Sequence, residues 1–287
     1  MAMRPGQGDE AHGPGVTPRG IDAAAFAGGM WDVRVREECA STNSEARALA
    51  ADGAAAGTVV TTLNQTAGRG RLTRSWVTPP GASLSTSVVL TPPAAVPAER
   101  WPWLSLLTGL AVHDAAAVLG VRAGLKWPND VLVADRKLAG ILIERVERPG
   151  SLPAAVIGVG LNVAAAEGDV PATGTSLRMQ GATDDATEAL SALLAALDAR
   201  YRAWCAVDGD PAAGEGALLA DYRAASVTIG TDVRVHLPRE ATLEGRCVDV
   251  DAEGHMVVEV EGRRHTLGVG DVVHVRAGGA AGHRPTE

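Results

Sequence analysis

Arginines 69, 71 and 74 fall within the stretch Gly68-Arg69-Gly70-Arg71-Leu72-Thr73-Arg74-Ser75-Trp76, just after the polar pair Asn64-Gln65. Guanidinium groups present planar forks of N–H donors that match carboxylate and phosphate oxygens, and glycines let backbone N–H groups come close to a ligand. In a chain of formal net charge -8 this local reversal of sign suits an anion, although a solvated basic loop has the same composition. The spacing is not that of the common nucleotide fingerprints. Thr73 breaks G-x-G-x-x-G, and G-x-x-x-x-G-K-[ST] does not occur in the sequence.

Four further stretches carry residue types able to do chemistry. Ser41-Thr42-Asn43 offers hydroxyl and amide groups, with Thr42 and Glu45 at the spacing of a capping box, which by itself needs no ligand. Lys126-Trp127-Pro128-Asn129-Asp130 combines a cation, an amide and a carboxylate, yet also reads as a surface lysine followed by a turn. Lys137-Leu138-Ala139-Gly140 opens a strand with a cation and a glycine. In Gly158-Val159-Gly160-Leu161-Asn162 the glycines share one strand face with Asn162. A strand face without side chains leaves room for a flat ligand, or for a bulge or a packed helix.

The elements that must position these residues follow from hydrophobic periodicity. Strands are expected over Trp31 to Val35, Gly57 to Leu63 and Ser83 to Leu90, with a helix starting at Ser41 to Glu45 between the first two. The Gly57 and Ser83 strands form an antiparallel pair enclosing the arginine loop. A core helix runs from Leu104 to Val118 and ends at Gly120, and a hairpin pairs Val131 to Val133 with Lys137 to Glu144 across a turn at Asp135-Arg136. Ala155 to Val163 is another strand, and covering helices span Asp184 to Trp204 and Ala212 to Ala224. Beyond Ser226 come short β runs at Ser226 to Ile229, Val233 to Leu237, Thr242 to Val250, Met256 to Val260 and Val272 to Val275. Strands so closely spaced suggest a small SH3-like barrel. The expected class is α+β: a mixed, mainly antiparallel sheet with covering helices, plus the small C-terminal barrel. The expected division is a disordered tail over 1–29, a catalytic domain over 30–224, the barrel over 225–276 and a flexible tail over 277–287.

Composition limits the function classes. A length of 287 residues with 46% hydrophobic content is ample for a core, and the net negative charge argues against a general nucleic-acid binder. Cys39, Cys205 and Cys247 lie far apart without a C-x-x-C pair, so neither zinc nor a disulfide framework is indicated. The sequence shows no apolar run of signal-peptide or membrane-spanning type, and a cytoplasmic location is the expectation.

Taken together, Ser41-Thr42-Asn43, Gln65 with the Gly68 to Trp76 loop, Lys126 to Asp130, Lys137 to Gly140 and Gly158 to Asn162 resemble the biotin protein ligases, from Trp31 into the C-terminal barrel. The family often has glycine where Thr73 stands, so the shape of this loop is not fixed by the resemblance. The resemblance implies two reactions: biotin and Mg-ATP give biotinoyl-5′-AMP and pyrophosphate, and a lysine ε-amine of an acceptor domain then takes the biotinyl group. It implies catalytic roles for Arg69, Arg71 and Lys137, which lie along biotin and its activated carboxyl. Biotin contacts are implied at Ser41, Thr42, Asn43, Gln65, Gly68, Gly70, Gly140, Leu142 and Gly158. Nucleotide contacts are implied at Arg74, Trp76, Lys126, Asn129, Asp130, Gly160 and Asn162, with Asp130 as the magnesium ligand. The arginine loop is expected to close over the adenylate and exclude water. The implied acceptor is the biotin carboxyl carrier domain of an acyl-CoA carboxylase or of pyruvate carboxylase, and family members are monomers or homodimers.

A lipoate or octanoate ligase or transferase is the nearest alternative, disfavoured by the arginine loop and the Lys126 to Asp130 motif. A biotin-responsive repressor would need about sixty patterned residues for a winged helix-turn-helix, and the residues before Trp31 are rich in Gly and Pro instead. No DNA and no membrane partner is expected.

Overall fold

The computed structural model describes residues 20–71, 74–214, 217–237, 241–268 and 271–274. In chain order these form β1 (Asp32–Arg36), α1 (Thr42–Ala51), β2 (Thr58–Thr62), β3 (Gly68–Arg69), β4 (Ser75–Trp76), β5 (Ser83–Leu90) and α2 (Trp103–Val118). Then come β6 (Gly124–Lys126), β7 (Asp130–Val133), β8 (Arg136–Val146), β9 (Ala154–Asn162), α3 (Ala186–Ala206) and α4 (Leu218–Ala225). The C-terminal part holds β10 (Asp232–His236), β11 (Thr242–Val250), β12 (Met256–Val260), β13 (Arg263–Leu267) and β14 (Asp271–His274).

A seven-stranded sheet in the order β1-β2-β5-β9-β8-β7-β6 carries the site. The β1–β2 pair is parallel and the other neighbours are antiparallel. Because successive residues of a strand face opposite sides, the two faces have different jobs. On one face, Leu84, Val88, Ile157, Val159 and Leu161 join Trp103, Leu107 and Leu110 of α2 and Leu190, Leu193 and Leu197 of α3 in the main core. On the other, Val60, Val89 and Val156 pack against Ala46 and Ala50 of α1 in a smaller one. Helix α1 covers only part of that second face. Where it stops, β9 replaces apolar side chains with Gly158 and Gly160, and a cleft results.

A separate five-stranded antiparallel sheet, ordered β13-β12-β11-β10-β14, forms the C-terminal part. Its buried residues Val233, Val235, Cys247, Val258 and Val272 belong to the same apolar cluster as α2 and α3, and burial pushes the Cys247 thiol up to about 11. Polar groups fix it in place. Trp103 Nε1 donates to Ala252 O at 2.7 Å, Arg100 Nη1 to the same oxygen at 3.2 Å, and Trp127 Nε1 to Gly254 O at 3.0 Å. Trp127→Phe would leave the Gly254 carbonyl without its donor. The expected cost is about 1–3 kcal/mol, read as a lower urea midpoint with an unchanged m value; an unshifted midpoint would show the bond to be dispensable.

His274 on β14 places its Nε2 3.1 Å from Thr228 Oγ1. Burial, reinforced by the charge of Lys126, lowers its pKa from the usual 6.5. The native state therefore favours the neutral ring, and protonation favours the unfolded chain. Stability should be full above the ordinary histidine pKa and fall as pH drops from there towards the lowered native value. Melting temperature measured across that window should decline less in His274→Gln than in the wild type. Equal slopes would rule out this residue as the source.

Several expectations differ from the structure. Ser226 to Ile229 is not a strand: the Ser226 hydroxyl accepts from the N–H groups of Thr228 and Ile229, folding the segment into a turn that makes one bridge to Leu125. Strand β13 was not anticipated, because Arg263-Arg264-His265 shows no apolar alternation at this exposed sheet edge. Residues 20–29, grouped with the N-terminal tail, hold a 3-10 turn at Ala23–Phe26 capped by Asp22, and Ile21 and Phe26 pack on the core. The hairpin turn precedes its expected place by one residue, with Ala134 at φ 52°. The last helix begins at Leu218 rather than Ala212. Residues 1–19 and the expected tail over 277–287 lie outside the described residues. Among those described, no helix is long and apolar enough to cross a membrane.

Candidate functional site

The first wall of the cleft is the start of α1. Ser41, not Thr42, is the N-cap: its hydroxyl accepts from Ser44 N–H at 3.4 Å. The expected Thr42–Glu45 capping box does not form. Glu45 pairs instead with Arg36, and Thr42 turns to Gln65, donating from its N–H and Oγ1 to Gln65 Oε1 at 2.8 and 3.2 Å. Asn43 is held on all sides. Its Nδ2 donates to Leu142 O at 3.3 Å and to Glu144 Oε2 at 2.9 Å, and its Oδ1 accepts from Ser87 Oγ at 2.6 Å. A Cβ on Gly158 would overlap Asn43 Oδ1. The empty position on β9 thus admits the Asn43 carboxamide, where a ligand had been expected to lie directly on the strand.

The arginine loop forms the second wall as a short hairpin. Gly68 pairs with Trp76 and Arg69 with Ser75 across β3 and β4, and Gly70 N–H donates to Arg74 O at 2.6 Å. Arg69 Nη2 donates to Glu144 Oε2 at 2.9 Å, and Arg71 Nη1 to Asn129 Oδ1 at 3.2 Å. The Trp76 indole folds back onto the sheet. A Cβ added at Gly160 would stand 2.5 Å from its ring, and one added at Gly140 3.2 Å. The side-chain space missing from the sheet is again occupied by the protein. Trp76 Nε1 is buried there without a hydrogen-bond partner. Thr73 lies outside the described residues.

The hairpin β7–β8 closes the cleft. Lys137 Nζ lies 2.6 Å from Asp130 Oδ1 and 5.6 Å from the centre of the Trp76 ring. Asn129 Nδ2 donates to Ile141 O at 2.9 Å, fixing the amide that meets Arg71. Arg69, Arg71, Arg74 and Lys137 all line this cleft, with Asp130 as the carboxylate among its lining residues. A region of positive charge is therefore concentrated in an acidic chain. The cleft encloses about 810 Å³ with its open mouth included.

Ser41, Thr42, Asn43, Gln65, Gly70, Trp76, Gly140, Leu142, Gly158 and Gly160 share this lining with the four cations, Asn129 and Asp130. Three of the residues proposed from sequence do not. Gly68 is the first residue of the hairpin, where a Cβ would overlap Trp76 O, so glycine is required there for strand pairing. Lys126 pairs with the cleft residue Asp130 across β6 and β7 at the end of the sheet, and its charge also acts on His274. Asn162 borders an adjoining recess with Trp76, Lys137, Val170 and Gly174. Its side chain is used within the protein, with Nδ2 donating to Thr175 O at 2.8 Å and Oδ1 accepting from Ser83 Oγ at 2.8 Å. Sequence reasoning missed Glu144 and Ser87. A signal existed for both: Glu144 follows Gly140 and Leu142 at two-residue spacing, and Ser83, Ser85 and Ser87 form a polar face on β5.

Residues 39–162 match the model of the biotin/lipoate A/B protein ligase family. The biotin–[acetyl-CoA-carboxylase] ligase of Mycobacterium tuberculosis is 42% identical over 262 residues, covering 89% of this chain and 94% of that protein. The bifunctional ligase/repressor BirA of Bacillus subtilis is 31% identical over 226 residues, or 76% of this chain and 66% of that protein. Among solved structures, the biotin protein ligase of Aquifex aeolicus in complex with biotin and ATP superposes with a TM-score of 0.70 at 22% identity, covering 86% of this chain and 99% of that one. That likeness concerns the fold.

Proposed function

The chain belongs to the biotin/lipoate A/B protein ligase family, as a biotin protein ligase, and from that premise we propose that it activates biotin with ATP and transfers the biotinyl group to a lysine of a biotin carboxyl carrier domain. The observation that carries this reading is the meeting, in one cleft, of four cations with the hydroxyl and amide groups at the start of α1. A carboxylate must approach the α-phosphate of ATP, and two anions come together only where cations offset their repulsion. In the first step the biotin carboxylate oxygen bonds to the α-phosphorus and pyrophosphate leaves. In the second the lysine ε-amine attacks the acyl carbon, AMP leaves and the amine proton is released.

Within this scheme Ser41, Thr42, Asn43 and Gln65 serve the ureido ring, whose donors and acceptor would each cost about 1–3 kcal/mol if buried unmatched. Arg69, Arg71 and Lys137 serve the carboxyl and the forming anhydride, while Arg74 and Trp76 serve the nucleotide. Lys137 exchanges its Asp130 partner for phosphate oxygens as ATP arrives. Asp130 then suits magnesium held mainly by phosphate and water, because such ions typically use one or two carboxylates; among the described residues no group of three or more potential ligands exists. Bound there, the ion would neutralise charge on the departing phosphates. Closure of the hairpin over the adenylate would exclude water.

The acceptor we propose is the carrier domain of an acetyl-CoA carboxylase. Incubation with biotin, Mg-ATP and that domain should add one biotinyl group, seen as a mass increase on a single lysine. Transfer of lipoate without transfer of biotin would overturn the assignment.

A further inference from the structure

We propose that Glu144 is a positioning residue for biotin: its carboxylate sets which way the Asn43 carboxamide faces and ties Arg69 of the loop to the same point. This rests on the ligase reading above and assigns a role to a residue that neither cation chemistry nor the nucleotide requires. Glu144 lies on β8, two residues beyond Leu142, with its side chain 20% exposed. Three donors converge on it. Asn43 Nδ2 and Arg69 Nη2 each lie 2.9 Å from Oε2, and Arg47 Nη1 lies 3.4 Å from Oε1.

An ionised carboxylate can only accept hydrogen bonds, so the NH2 end of the Asn43 amide must face Glu144. The Leu142 carbonyl at 3.3 Å makes the same demand, and the Ser87 hydroxyl at 2.6 Å donates to the opposite end. The amide oxygen is thereby held over Gly158, on the lining of the cleft. In that orientation Asn43 is an acceptor for a ligand N–H, and a cyclic urea carries N–H groups. Reversed, it would present a donor and reject them. Arg69 uses the same carboxylate oxygen, so the recognition element on α1 and the arginine hairpin share one anchor. Neutralising Glu144 should disturb both at once while leaving the Lys137–Asp130 end of the cleft intact.

Biotin-dependent pyrophosphate exchange by the full chain tests this. Glu144→Gln is nearly isosteric, but its amide can pair with Asn43 in either orientation. Biotin KM should rise about tenfold while ATP KM moves by less than about twofold. Glu144→Asp keeps the carboxylate, which can still only accept, and leaves the Asn43 amide its donor for the Leu142 carbonyl. Biotin KM in this variant should stay within about threefold of the wild type. An unchanged biotin KM in Glu144→Gln would overturn the proposal, as would a parallel rise in both KM values or a Glu144→Asp variant no better than Glu144→Gln. Wild-type protein without any biotin-dependent exchange would instead overturn the ligase reading.

Discussion

Replacing Lys137 with alanine should lower biotin-dependent pyrophosphate exchange by about 10²–10³-fold, the usual loss when a preorganised group facing transition-state charge is removed. The expectation comes from where the ammonium stands. It lies on the cleft wall beside Trp76, paired to Asp130 at 2.6 Å, and the pair is only partly exposed. A cation so held needs little reorganisation to meet a second anion. In the variant, Asp130 would keep its charge without its partner and repel the incoming phosphates, so ATP KM should rise as well. Biotin KM should rise less than ATP KM, because the groups proposed for the ureido ring at the start of α1 are untouched while Arg69 and Arg71 still face the carboxyl. Exchange kinetics with biotin and ATP varied separately would separate these effects, and a variant retaining more than about a tenth of wild-type kcat would remove Lys137 from the catalytic set.

The two glycines of β9 should fail in different ways. Gly158→Val would drive its side chain into Asn43 Oδ1, displacing the amide and opening the Ser87 and Glu144 bonds that hold it. Biotin KM should rise by about 10²-fold, with a stability loss of about 1–3 kcal/mol from overpacking. Gly160→Val would meet the Trp76 ring, where even a Cβ stands 2.5 Å away, and push the indole off the sheet. Its effect should fall on ATP KM, with biotin KM moving far less. Identical kinetic signatures for the two variants would mean that these positions do not serve separate halves of the substrate pair. Binding of biotin alone, measured by calorimetry, gives an independent reading for the Gly158 variant.

The sequence made most of the framework legible, since its signals are local. Gly120 marks the end of α2, the alternation in Ser83 to Leu90 marks β5, and the glycines of β9 announce an empty face. What occupies that face was not legible, because the side chains of Asn43 and Trp76 arrive from elements remote in the chain. The cap shifted from Thr42 to Ser41 for a similar reason: both residues are good caps, and the choice is decided by Gln65, more than twenty positions away. Glu144 was passed over because a charged residue in an otherwise apolar strand resembles a solvent-facing position. Only the convergence of Asn43, Arg47 and Arg69 distinguishes it. Lys126 stands directly across from Asp130 in the β6–β7 pair, as its place in the same short stretch suggested, although the cleft lining stops short of it.

The grip of Arg100, Trp103 and Trp127 on the turn between β11 and β12 is made entirely through the carbonyls of Ala252 and Gly254. Main-chain acceptors are the same whichever side chain is attached, so this joint constrains its two sides unequally. The donors are bound to their identities, whereas residue 252 needs only a side chain that packs on the core as Ala252 does. Gly254 is the exception, at φ +81° with Trp103 and Leu106 close to where a Cβ would stand. A turn of the same length with glycine at that point would fit the same donors, while the apolar side chains shared with α2 and α3 and the Arg223–Asp249 pair tie the rest of the small sheet to these particular helices.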